Sequence, residues 1–121
     1  MIGIGIDAVD IDRLRGVLAR RPGMTERLFT DHERACTQRS ADCVPRLAAR
    51  FAAKEAVMKA LGVGIGAIDM HDVEVRSEVS GRPVLLITGR AAALAIDQGV
   101  TSWLVSLTHT EHTAQAVVAA L

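Results

Sequence analysis

The run Arg50-Phe51-Ala52-Ala53-Lys54-Glu55-Ala56-Val57-Met58-Lys59-Ala60-Leu61-Gly62 constrains this chain more than any other stretch. Its apolar periodicity calls for a packed helix, while its charges call for something besides packing. At about 100° per residue, Leu47, Phe51, Met58 and Leu61 gather into one arc. Lys54 falls inside that arc and Glu55 on its border, so Lys54 must reach an anionic partner or snorkel to water. The next face carries Ala48, Glu55, Lys59 and Gly62, an acid and a base one turn apart on a surface with little side-chain bulk. Such a surface suits a bound ligand, or a solvent-facing pair worth about 0.2 to 0.5 kcal/mol.

At the N-terminus, Ile2, Ile4 and Ile6 alternate with Gly3, Gly5 and Asp7. This reads as a strand over 1–7 with one greasy face and one face bare of side chains until the carboxylate. Glycine weakens a strand, so its repetition implies close approach of another backbone or of a ligand. Asp7 would emerge at the end of that rigid element, or serve as a turn or capping residue ahead of Asp10 and Asp12.

The remaining pattern predicts a helix over about 10–21, a second helical piece over about 30–40, the main helix over about 45–61, and then mostly sheet. Val73-Glu74-Val75-Arg76 and Pro83-Val84-Leu85-Leu86-Ile87 read as a hairpin around Ser80-Gly81. A short alanine-rich helix over 90–98 precedes two further strands, 103–107 and 113–120, around the His109 turn. Helices with a largely antiparallel sheet make an α+β fold.

Length and composition fit one domain spanning residues 1–121, with 50% hydrophobic residues but only Trp103, Phe29 and Phe51 aromatic. An aliphatic surplus this large in a small domain suits burial against copies of the same chain. There is no long apolar run for a membrane span and no signal-peptide pattern, so a cytoplasmic location is expected. Cys36 and Cys43 lack a second pair, which indicates neither a disulfide framework nor a zinc site. Basic residues outnumber acidic ones 11 to 8 up to position 60, and acids lead 6 to 3 beyond. Arg13, Arg15, Arg20 and Arg21 crowd the first helix, which on its own reads as a solvated basic face. Balanced net charge and few aromatics argue against nucleic-acid binding.

Gly62, Gly64 and Gly66 follow the main helix; Gly62 suits a helix C-cap, and the group suits phosphate oxygens beside Lys59 without forming a P-loop. His109 and His112 are spaced His-x-x-His but lack the partners of a zinc motif.

Taken together, the Gly-Ile-Gly-Ile-Asp start, the Arg-Phe-Ala-Ala-Lys-Glu-Ala helix and the Ser106-Leu107-Thr108-His109-Thr110 segment resemble the holo-acyl carrier protein synthase family of 4′-phosphopantetheinyl transferases. The resemblance extends to Glu26-Arg27-Leu28-Phe29-Thr30 with Glu33, to Gly62-Val63-Gly64-Ile65-Gly66 and to Gly81-Arg82-Pro83. It implies that family's fold, an antiparallel sheet packed with a long central helix. It also implies transfer of the phosphopantetheine arm of coenzyme A to a serine of an acyl carrier protein, in fatty acid or polyketide synthesis. Adenosine 3′,5′-bisphosphate would be released. On this resemblance Asp7 and Glu55 hold magnesium, Glu55 accepts the serine proton directly or through a metal-bound water, and Lys59 steadies the diphosphate. Arg50, Lys54, Lys59, Gly62, His109 and Thr110 would bind coenzyme A, with Arg50 and Lys54 either contacting its phosphates or ordering the acidic side chains. Arg13, Arg20 and Arg21 would meet the carrier, and the protein would be a homotrimer with sites at subunit boundaries. Two other readings stand beside it, a noncatalytic coenzyme A or nucleotide-binding sensor and a purely structural trimer.

Overall fold

The first strand of the chain lies backbone to backbone against its longest helix. In a computed structural model, which describes residues 1–38 and 41–121, β1 is Gly3–Asp10 and the helix, α4, is Val44–Leu61. A Cβ placed on Gly5 would stand 1.9 Å from the Ala56 carbonyl oxygen, and one on Gly3 2.0 Å from that of Ala60. Another backbone is therefore what the glycines admit. Asp7 lies on this same inner face, level with Ala116 of the neighbouring strand.

Between these elements run α1 (Ile11–Arg20), α2 (Met24–Leu28) and α3 (Asp31–Arg34), followed by a 3₁₀ turn at Ala35–Gln38. The Asp10 carboxylate caps α1 by accepting from the Arg13 amide at 2.9 Å. Thr30 and Glu33 form a reciprocal capping box at the start of α3. Gly62 ends α4 with φ 72°, the left-handed conformation that favours glycine at a helix C-terminus. A 3₁₀ turn at Met70–Asp72 leads into β2 (Val73–Ser77) and β3 (Pro83–Ile87), and then come α5 (Gly89–Asp97), β4 (Trp103–His109) and β5 (Thr113–Ala120).

Both sheets are antiparallel: β1-β5-β4 in one and the β2-β3 hairpin in the other. The main core lies between α4 and the inner sheet face, where Ala52, Ala53, Ala56, Val57 and Ala60 meet Ala116, Val118 and Ala120. Small residues predominate there because the two layers approach so closely. The outer sheet face is also apolar: Ile4, Ile6, Leu104 and Val117 are 62%, 63%, 49% and 38% exposed. Register places Ile6 beside Val117 and Ser106, and Ile4 beside Ala119 and Leu104, in continuous cross-strand rows. The greasy face of β1 is thus the one turned away from the core of its own chain.

The α+β class and the antiparallel sheets packed with a long helix match expectation. Four details differ. The first strand, expected over 1–7, starts at Gly3 and runs on to Asp10, where pairing with β5 continues to Thr113. The helical piece expected over 30–40 is shorter, comprising α3 and a 3₁₀ turn, with its last two positions outside the described residues. The five-residue α2 appears where no helix was expected, since Pro22-Gly23 and its brevity leave no periodicity to read. Cys36 and Cys43 are joined by a disulfide, their Cα atoms 6.0 Å apart. A single close pair gives no framework pattern, so spacing alone concealed it.

Candidate active site

Packing β1 flush on α4 brings two distant carboxylates into one cleft. Asp7 and Glu55 both line an opening of about 520 Å³ whose other walls are Arg13, Leu14 and Val17 of α1, Met24 and Leu28 of α2, and Phe51 of α4. Lys59, one turn beyond Glu55, donates to the Asp7 carboxylate at 3.1 Å and to the Ile6 carbonyl at 2.9 Å. Partial burial, then the nearby Asp7 charge, raises the Glu55 pKa above the ordinary carboxylate range, and Lys59 only partly offsets them. Glu55 is therefore a stronger proton acceptor than a solvated glutamate, and the two acids repel unless a cation joins them.

Among the described residues, no three acidic, histidine or cysteine side chains converge on one point. Two carboxylates do share the cleft, however, and magnesium commonly takes only one or two protein carboxylates, with waters and substrate phosphate completing its shell. The donor chemistry therefore fits a hard divalent cation.

A second cluster lies on another side of α4. Arg46, Arg50 and His109 line a hollow of about 310 Å³ with Ser77, Gly81, Pro83 and Thr108. Burial, then the neighbouring Arg46 charge, lowers the Arg50 pKa from the usual arginine range. The two positive charges repel one another, a strain that a bound anion would relieve, and sequence reasoning overlooked Arg46 although it stands one turn before Arg50. Thr110 lies nearby in the β4–β5 turn, bordering a separate opening shared with Asp12, Arg15, His109 and His112. His112 is exposed there, its Nδ1 3.4 Å from Asp12.

The other expected site residues separate. Arg13 borders the Asp7–Glu55 cleft. Arg20 and Arg21 are exposed at the far end of α1, and Gly62 is the C-cap of α4. Lys54 needs a correction. Its side chain is wholly buried and pairs with equally buried Glu33 at 2.8 Å, and its ammonium also donates to the carbonyls of Met70, at 2.8 Å, and Val73. Its three hydrogens are taken by protein oxygens, which answers the need for an anionic partner and leaves nothing for a phosphate.

This architecture defines a class of transferase. A family model for the 4′-phosphopantetheinyl transferase superfamily matches residues 3–119, and the chain belongs to that family of enzymes. A holo-[acyl-carrier-protein] synthase of Streptomyces avermitilis is 50% identical over 120 residues, which cover 99% of this chain and 97% of the relative. The crystal structure of holo-[acyl-carrier-protein] synthase from Neisseria meningitidis superposes with a TM-score of 0.90 at 29% identity, covering 100% and 98% of the two chains. The Helicobacter pylori holo-[acyl-carrier-protein] synthase, solved in complex with coenzyme A, gives 0.82 at 28% identity and covers 98% and 99%. The resemblance read from the sequence motifs is borne out.

Proposed function

We propose that the protein transfers the 4′-phosphopantetheine group of coenzyme A to a serine of an apo acyl carrier protein. The products would be the holo-carrier and adenosine 3′,5′-bisphosphate. The observation that carries this reading is that Asp7, paired with Lys59, and Glu55 line one cleft, which is walled mainly by apolar side chains and has Arg13 at its side. The synthases of similar sequence and the coenzyme A complex of a similar fold support the substrate pair.

In this reading the serine oxygen bonds to the phosphorus bearing pantetheine as the bond to the bridging oxygen breaks. Adenosine 3′,5′-bisphosphate departs with that oxygen. Glu55, its basicity raised by burial and by Asp7, accepts the serine proton. Lys59 steadies the diphosphate as a point charge. Magnesium held by Asp7 and Glu55 would supply charge neutralisation at the diphosphate. Arg13, Arg20 and Arg21 give α1 a basic face for an acidic carrier.

Arg50 and Glu55 project about 140° apart around α4, since five residues separate them at about 100° each. The Arg46–Arg50–His109 hollow and the acid-lined cleft thus face different directions. A homotrimer in which the exposed Ile4–Ile6–Leu104–Val117 face is buried between copies would let one subunit's arginines meet coenzyme A beside its neighbour's acids. Among the described residues no helix is long and apolar enough to cross a membrane. A cytoplasmic location and a place in fatty acid or polyketide synthesis complete the reading.

Mass spectrometry of apo-carriers incubated with coenzyme A and magnesium tests it. Asp7→Ala or Glu55→Ala is expected to keep the fold and abolish the mass gain. Normal modification by either variant refutes the assignment, and coenzyme A binding without mass gain on any carrier favours a sensor instead.

A further inference from the structure

The buried Lys54–Glu33 pair reaches the cleft from behind. Glu33 accepts from Lys54 at 2.8 Å, from the Thr30 amide at 3.0 Å and from the Val75 amide at 3.0 Å. Thr30 in turn donates its hydroxyl to Glu74, which is held by Arg76 at 2.6 Å. Lys54 also donates to Met70 of the 3₁₀ turn, and His71 of that turn meets the Glu26 carbonyl of α2 at 2.6 Å. Phe29, fully buried immediately after α2, has its ring centroid 5.9 Å from the Lys54 ammonium. One polar chain, through Met70 and His71, therefore runs from Lys54 to α2, whose Met24 and Leu28 form a cleft wall, while Glu33 and the Lys54 ammonium hold Thr30 and Phe29 just beyond its end.

We propose that Lys54 is a positioning residue: with Glu33 it fixes the α2 wall of the cleft that Glu55 shares, and it makes no contact with the phosphates. The role rests on the transferase reading for its effect on carrier, but the placement of α2 can be measured without any substrate. An ion pair this deep tolerates loss of both charges better than loss of one, because a lone partner is left buried and uncompensated.

Lys54 and Lys59 are the only lysines of the chain, so amine acetylation read by peptide mass spectrometry distinguishes them cleanly. In the native protein Lys59 is expected to react and to be protected by coenzyme A, with Lys54 unreactive until denaturation. Lys54 reacting as fast as Lys59, or gaining protection from coenzyme A, overturns the proposal. Amide exchange supplies the substrate-free arm: in Lys54→Met and Glu33→Gln, residues 24–28 should exchange about tenfold faster, with β1 unchanged. Unaltered exchange in α2 also overturns it.

In kinetics, kcat/KM for carrier should fall about 100-fold in either variant, as an ångström of misplacement can cost, with coenzyme A affinity unchanged. The double variant Glu33→Leu/Lys54→Met should recover part of that loss. A Lys54→Met protein that loses coenzyme A affinity as Lys59→Met does would make Lys54 a phosphate ligand. Should Lys54→Met not fold, wild-type labelling and Glu33→Gln still decide. Missing protection at Lys59 together with no transfer counts against the transferase reading, and α2 exchange continues to judge the positioning role.

Discussion

Replacing Gly5 by alanine tests the contact on which the site is built. The added Cβ would lie 1.9 Å from the Ala56 carbonyl oxygen, 2.8 Å from its carbon and 2.9 Å from the Ala60 nitrogen. All three are backbone atoms of α4, so no rotamer relieves the clash. Reaching an ordinary separation requires strand and helix to part by about 1 Å or more. Overpacking of this kind typically costs 1–3 kcal/mol, and the rigid neighbours argue for about 3 kcal/mol. The gain from a less flexible unfolded chain offsets only about 0.4–1 kcal/mol. Each kcal/mol is worth roughly 4 °C in a domain of this size, so a fall in Tm of about 10 °C is expected. Asp7 follows Gly5 by two residues and Glu55 directly precedes Ala56, so the separation also moves both acids. Transfer measured well below Tm should drop by about 100-fold. Gly64→Ala is the control, because a Cβ there meets nothing within 4 Å. A Gly5→Ala protein with wild-type denaturant midpoint and wild-type transfer rate would refute the reasoning.

Glu55→Gln should raise Tm at neutral pH while abolishing transfer. Folded Glu55 binds its proton more tightly than the unfolded chain does, so its contribution is present at low pH and lost as pH rises through the raised folded pKa. Scanning calorimetry of both proteins from pH 4 to 8 should show the difference widening with pH; a constant difference contradicts it. If the proposed trimer buries this face, Ile4→Arg should yield a monomer by light scattering where the wild type is a trimer, since each isoleucine buried at an interface contributes about 2 kcal/mol. A wild-type protein that is already monomeric and fully active would exclude shared sites. Closing Cys36 to Cys43 should stabilise the protein by about 2–3 kcal/mol relative to the dithiol, by restricting a short loop of the unfolded chain. Denaturation with and without reductant, checked by thiol titration, measures it, and equal midpoints would contradict it.

Elements governed by local periodicity were legible in the sequence. The alternation at β1, the apolar arc of α4 and the β2–β3 hairpin each sit within a residue or two of the observed bounds, apart from the C-terminal end of β1. The glycines announced a close approach, and Asp7 and Glu55 were singled out before their shared cleft was known. What could not be read depends on contacts distant in sequence. Lys54 visibly needed a counter-charge, yet Glu33 lies on a different helix, α3, and reads locally as a capping residue. The isoleucines of β1 marked an apolar face without saying that α4 would claim the opposite one. Family resemblance drew Lys54 toward the phosphates, whereas burial had already committed it elsewhere.

At Gly3 and Gly5 the seam between β1 and α4 holds no side chains on the strand side, and this bears on how the protein tolerates change. Ordinary cores absorb drift by trading a bulkier group here for a slimmer one opposite. Main chain resting on main chain has no such slack. The gap bridged by the two acids is accordingly set by the polypeptide itself, like the gauge of a rail. Variation can accumulate around that gauge freely, but at Gly3 and Gly5 no larger residue fits without widening it.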